Sequence, residues 1–97
     1  MKTQIGIVGV DAGLIMVGDP CYFLDAIGNT SVAQQAYPTW SDFCDDLPKD
    51  NSPKQLNFER GHEGLGIVVG TTHGDGTYPV YLETTKAGKR RLIVELG

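Results

Sequence analysis

Few side chains in this chain of 97 residues can serve as nucleophile, base or metal ligand: Cys21, Cys44, His62, His73 and twelve Asp or Glu residues. Two short motifs hold the best placed of them, Gly18-Asp19-Pro20-Cys21-Tyr22 and His73-Gly74-Asp75-Gly76. Imidazole and carboxylate together suit zinc or another first-row ion, so His73, Asp75 and Asp19 form one candidate ligand set. The gaps between Cys21, Cys44, His62 and His73 match no zinc-finger spacing, and Asp75-Gly76 lacks the rest of an EF-hand loop. A thiol mechanism would use Cys21 as nucleophile, His73 as base, and Asp75 or Asp19 to orient the imidazole. The glycines of HGDG also permit a concave run of backbone N–H groups that attracts anions, although the motif is neither a Walker loop nor a strand-to-helix glycine motif. Aromatic rings give a further option, since Tyr22, Trp40, Tyr78 and Tyr81 could line a cleft and stack a planar ligand.

Each of these groups must be positioned by local structure. Residues 4 to 18 read as a hairpin of two apolar runs broken at Asp11-Ala12-Gly13. Gly6 and Gly9 weaken its first strand and point to a bulge, an edge, or close approach by another backbone. Pro20 pushes Asp19 towards an extended conformation and breaks the second strand. Residues 26 to 37 fit neither helix nor strand. In TWSDFCDDLP, Thr39 and Asp42 have capping-box spacing, and Trp40, Phe43, Cys44 and Leu47 recur at i, i+3, i+4 and i+7. That pattern predicts one short amphipathic helix ended by Pro48, with Cys44 a small buried hydrophobe on its apolar stripe and Asp42, Asp45 and Asp46 on its outer face. Residues 48 to 64, anchored only by Leu56 and Phe58, read as a long irregular connection.

The last third alternates or runs apolar in residues 65 to 73, 77 to 84 and 90 to 96, with turn signals at Gly74-Asp75-Gly76 and Lys86-Ala87-Gly88. A three-stranded antiparallel meander is expected. Within it Tyr78 shares a face with Val80 and Leu82 and is assigned to the core, while Tyr81 falls on the other face beside Pro79. Pro79 requires a bulge or one-sided bonding. Lys86, Lys89, Arg90 and Arg91 crowd the next turn. A strand of eight residues would put that cluster about 25 Å from HGDG, too far to help hold an anion there.

Composition narrows the class. Val, Leu, Ile and Phe make up 25 of 97 residues, above the roughly one-fifth level below which chains stay disordered. The expected product is a single folded domain, residues 1 to 97, with a thin core. A formal charge of -4 disfavours a polyanionic partner such as duplex nucleic acid. No apolar run approaches the ~20 residues that span a bilayer, and the start lacks a signal-peptide pattern, so a cytoplasmic protein with reduced thiols is expected.

The residues Asp11-Ala12-Gly13, Gly18-Asp19-Pro20-Cys21-Tyr22, Trp40 with Phe43-Cys44, and Gly74-Asp75-Gly76-Thr77-Tyr78-Pro79-Val80-Tyr81 together carry a resemblance that spans most of the chain. The chain resembles a group of small phage and bacterial proteins that pair a G-D-P-C-Y motif with a later G-D-G-x-Y-x-V-Y motif. That resemblance implies a phage or prophage setting and no particular chemistry. In such a setting a small protein captures a host protein or a nucleotide signal, or forms part of the particle.

The combined expectation is an α+β, mostly β domain: an N-terminal hairpin and a C-terminal meander in a bent sheet or small barrel, with one short helix packed on it. Its function is that of a non-catalytic binding module for a small polar or nucleotide-like ligand or a host protein. Asp19, Tyr22, His73, Asp75, Gly76 and Tyr81 would form the site if the two motifs share one end of the sheet. The alternatives are a metal- or thiol-dependent hydrolase using Asp19, Cys21, His73 and Asp75, and a structural part of a particle. The residues single out no particular cofactor and leave that question open. The HGDG stretch itself is expected first to be a turn.

Overall fold

The computed structural model describes residues 1–24, 26–27, 30–50, 52–57 and 63–97. Phe58 and His62 lie outside them. Strands dominate: β1 (Lys2–Val10), β2 (Leu14–Val17), β3 (Ala26–Ile27), β4 (Thr30–Ser31), β5 (Lys54–Asn57), β6 (Glu63–Gly70), β7 (Gly76–Thr84) and β8 (Arg90–Val94). Three short helices interrupt them, α1 (Cys21–Leu24), α2 (Val32–Ala36) and α3 (Trp40–Asp45). The fold is α+β and mostly β, as the alternating apolar runs require. No helix among the described residues is long and apolar enough to cross a membrane.

The pairing differs from the expected one. β1 and β2 do not form a hairpin with each other, and β6 is not a neighbour of β7; the sheets run β1-β7-β8 and β2-β6-β5, with β3-β4 as a small third. The turn signals mark where the strands end, but a strand's partner is settled by which apolar faces meet, and that information is not local. Only the β7–β8 hairpin of the expected meander forms, closed by Thr85 and Lys89 (Thr85 N to Lys89 O, 2.9 Å) with Gly88 at φ 82°. Instead of one helix the described residues hold three. The ambiguous stretch of residues 26 to 37 contains β3, β4 and α2, and the stretch of residues 48 to 64 contains β5.

The chain divides into two compact units, Met1–Ile15 with Gly70–Gly97, and Met16–Val69. The division falls inside β2 and at the end of β6. In the first unit β7 is central. Tyr78 and Val10 are its buried apolar residues, and Val8, Val10, Tyr78, Val80, Leu82 and Val94 share one face by strand alternation and register. Tyr78 is therefore core, as its alternation with Val80 and Leu82 requires. Pro79 bonds on one side only: its carbonyl accepts from Glu95 N at 3.1 Å and the missing donor leaves the return bond unmade. The one irregularity in the β1–β7 ladder lies between Gln4 and Gly6.

The second unit has its buried apolar residues on β5 and β6, Leu56, Leu65 and Val68. Leu56 opposes Gly66, and Lys54 opposes Val68, so Leu56 and Val68 point to one face, while Leu65 sits where the ladder is irregular, between the Leu56–Gly66 and Asn57–Glu63 pairs. Helices α2 and α3 each begin with a complete capping box. Ser31 Oγ accepts from Gln34 N while the Gln34 side chain accepts from Ser31 N, and Thr39 with Asp42 repeats the arrangement. Each box satisfies N–H groups that a helix start leaves without partners.

Candidate functional site

The six residues expected to form a site divide between the units: Asp19 and Tyr22 belong to the second, and His73, Asp75, Gly76 and Tyr81 to the first. In the first unit, HGDG forms a turn held by hydrogen bonds from the residues on either side of it. The Gly74 carbonyl accepts from Thr71 Oγ1 at 2.5 Å and from Tyr78 Oη at 2.7 Å, which uses both of its lone pairs. Thr71 N donates to Gly13 O at 3.0 Å and ties this turn to the Asp11-Ala12-Gly13 bend. Gly74 at φ 74° and Gly76 at φ 149° adopt backbone conformations that favour glycine. His73 and Asp75 stand exposed on this turn. Tyr81 lies further along β7, about 17 Å from Gly76 at strand rise, with Lys2 Nζ 4.5 Å from its ring centre.

In the second unit Asp19 caps α1. Its Oδ1 accepts from Cys21 N at 2.9 Å and its carbonyl from Tyr22 N at 3.1 Å. The acid of G-D-P-C-Y thus has a local structural duty, folding the chain back after β2. Cys21 is exposed and free, as is Cys44. The exposure of Cys44 corrects its assignment to a buried stripe. α3 is shorter than two turns, Phe43 and Leu47 make its half-buried side, and Cys44 sits about 100° around the helix from Phe43. Neither unit brings three His, Cys, Asp or Glu side chains together, among its described residues, in a way that could hold a metal ion.

The most exposed large side chain of α3 is Trp40, at 62 %, and helical periodicity alone placed it in the core. It is nevertheless held in place. Its ring lies 5.4 Å from that of Phe43, which meets Tyr37 edge-on at 5.3 Å. Tyr37 Oη donates to Asp46 Oδ2 at 2.6 Å, and Lys54 Nζ on β5 approaches Asp46 Oδ1 at 3.7 Å, so the aromatic row is anchored to the neighbouring strand. The carboxylates of Asp42, Asp45 and Asp46 are exposed on the other side of α3, Asp42 in the capping box with Thr39 and Asp46 bonded to Tyr37. Asp50 follows, its carboxyl held below the usual carboxylate value chiefly by the Ser52 hydroxyl. Asp42, two positions on, lies on the opposite face and fits a buried or an exposed Trp40 equally well; the separating feature is the six-residue length of α3.

Burial, then the hydrogen bond to Asp46, then the charge of Asp46 push the Tyr37 phenol from 10.0 up to about 12. The fold favours the neutral phenol, so this contribution to stability is whole below pH 10 and is lost as pH rises towards 12. A tyrosinate absorbance titration is expected to show one phenol ionising near pH 12, and Tyr37→Phe should remove that late step. A late step that survives in Tyr37→Phe would place the anchoring bond elsewhere.

Comparison of the chain with family models, with curated proteins and with solved structures found no match.

Proposed function

We propose that this protein is a non-catalytic binding module that grips a cationic segment of a partner protein on the Trp40 surface of its second unit. The observation that carries the reading is the fixed, 62 % exposed Trp40 ring, since rigid exposed aromatic side chains are where binding energy concentrates. Charge supports the choice of partner. Arg and Lys are attracted to an indole face, and the exposed carboxylates of α3, Asp45 above all, add a negative field that favours a cationic segment. The resemblance to small phage proteins supports a host protein as that partner, met in the host cytoplasm. His73, Asp75 and Gly76 serve in this reading as a structural reversal, and Asp19 as a helix cap.

Binding of a dye-labelled arginine-rich peptide, followed by fluorescence anisotropy, provides the test. Saturable binding is expected, against none for a glutamate-rich peptide of equal length. Trp40→Ala should weaken it by about 2 kcal/mol, roughly thirtyfold. Asp45→Asn should weaken it less, and the Asp45 effect should fade with added salt. Thermal stabilisation by a nucleotide, with no response to the arginine-rich peptide, would favour the small polar ligand instead.

A further inference from the structure

The two edges of the β1-β7-β8 sheet are built differently. β8, of sequence RRLIV, carries exposed Arg90 and Arg91, the usual protection against unwanted pairing. β1, of sequence KTQIGIVGV, carries one charge, and residues 2 to 7 and Gly9 are all exposed, with Ile5 at 57 % and Ile7 at 64 %. Lys2 is turned onto the sheet face, where it lies over Tyr81 and meets Glu95 Oε1 at 3.3 Å.

The hydrogen bonds show which β1 backbone groups point outward. Met1 and Thr84 exchange both of their backbone bonds, so by antiparallel alternation Thr3 faces β7 while Lys2 and Gln4 face away. Beyond the irregularity the count restarts. Pro79 gives its carbonyl to Glu95, on the β8 side, so Ile7 opposite it turns its N–H and C=O outward, and Gly9 follows. The outward set is Lys2, Gln4, Ile7 and Gly9, with a wider step in the middle where Gln4 Nε2 bonds the Gly6 carbonyl at 3.4 Å.

A bulge commonly spoils an edge for pairing, because an ordinary strand cannot match the extra residue. A second copy of the same strand, related by a two-fold axis, can. With Lys2 opposite Gly9 and Gln4 opposite Ile7 of the second copy, every outward residue meets an outward residue, and the wide steps coincide with Ile5 opposite Gly6. No other antiparallel register maps the set onto itself. It also sets the lone cation of each strand against a glycine, so no like charges face each other. Gly6 and Gly9 fit this placement: neither has a positive φ, and a Cβ at either would meet nothing within 4 Å inside the chain.

We propose that β1 is a self-pairing edge, and that two copies of this chain join their β1 strands antiparallel in that register to form one continuous six-stranded sheet. The partner is a second copy because an identical strand carries the same offset.

Sedimentation equilibrium over a dilution series tests this. The unaltered chain is expected to show a reversible monomer–dimer equilibrium. Gly9→Lys brings a cation opposite Lys2 of the other copy, at two symmetric places in the dimer, and should weaken association by roughly tenfold or more, whereas Gly9→Glu supplies Lys2 with an opposite charge and should maintain or tighten it. Both substitutions project into open space within the chain, and far-ultraviolet circular dichroism checks that both variants keep their strands. A chain that stays monomeric throughout, species that grow beyond a dimer with concentration, or equal effects of Lys and Glu would each overturn the proposal.

Discussion

Replacing Leu65 by alanine is expected to destabilise the second unit by about 2–5 kcal/mol, the range for emptying a fully buried leucine site. Leu65 is 0 % exposed on β6. Two residues along the same strand, Ile67 is 46 % exposed. Truncating Ile67 removes a similar volume from a place where water already reaches, so Ile67→Ala should cost under about 1 kcal/mol. The pair therefore separates burial from strand propensity, because both replacements put alanine into the same β-strand. Loss of this size is a large share of the roughly 5–15 kcal/mol that holds a small domain folded. Urea unfolding followed through Trp40, which belongs to the same unit, should show a much lower midpoint for Leu65→Ala and a small change for Ile67→Ala. Equal midpoints for the two variants would mean that Leu65 is not part of the core.

Why Leu65 and not Ile67 is buried illustrates what local pattern can and cannot convey. Both sit in an apolar run, LGIVV, in which every position reads as a strand interior. The run establishes that a strand exists. Which residues are covered depends on what lies against each face, and that is set by chain distant in sequence, as where Gly18 approaches the Leu65 carbonyl. The lateral partner β5 was equally hidden, in a stretch that read as irregular because Leu56 and Phe58 are its only apolar anchors. The same limit explains β1. Its alternation was visible, but its partner β7 lies more than sixty residues away, and no local signal distinguishes that partner from the adjacent β2. Features whose cause is local were readable: the Thr39–Asp42 capping box and the Thr85–Lys89 turn follow from neighbours within a few residues, and alternation with Val80 and Leu82 showed which face Tyr78 shares. The Ser31–Gln34 box carried the same signature, a serine followed three positions later by glutamine, within a stretch that otherwise gave no periodicity. For the candidate site, residue type was readable and orientation was not. Trp40 at the first position of α3 fits a core stripe and an exposed row equally well, and the six-residue length of α3 decides for exposure.

Gly18 in the G-D-P-C-Y motif is the position where alanine is expected to do most harm for its size. It needs no unusual φ. The demand is for space: a Cβ there would lie 2.9 Å from the Leu65 carbonyl oxygen and 3.1 Å from Cε2 of Phe23. The ring could turn aside, but the carbonyl belongs to the backbone of β6 and can move only by displacing the strand. Gly18→Ala is therefore expected to cost roughly 1–3 kcal/mol, the range for forcing extra volume into a packed place. The displacement should also reach the next residue, since Asp19 follows immediately and holds the Cys21 amide at 2.9 Å. Hydrogen exchange at that amide should quicken in Gly18→Ala beyond what global destabilisation explains. Gly9→Ala, where the new Cβ meets nothing within 4 Å, provides the contrast, with an expected gain of up to about 1 kcal/mol from restricting the unfolded chain. If the two alanine variants were equally stable at the same dilute concentration, close approach of β6 would not be the reason a glycine precedes Asp19. A loss confined to Gly18→Ala would give the first residue of the motif a steric role, beside the capping role of its second.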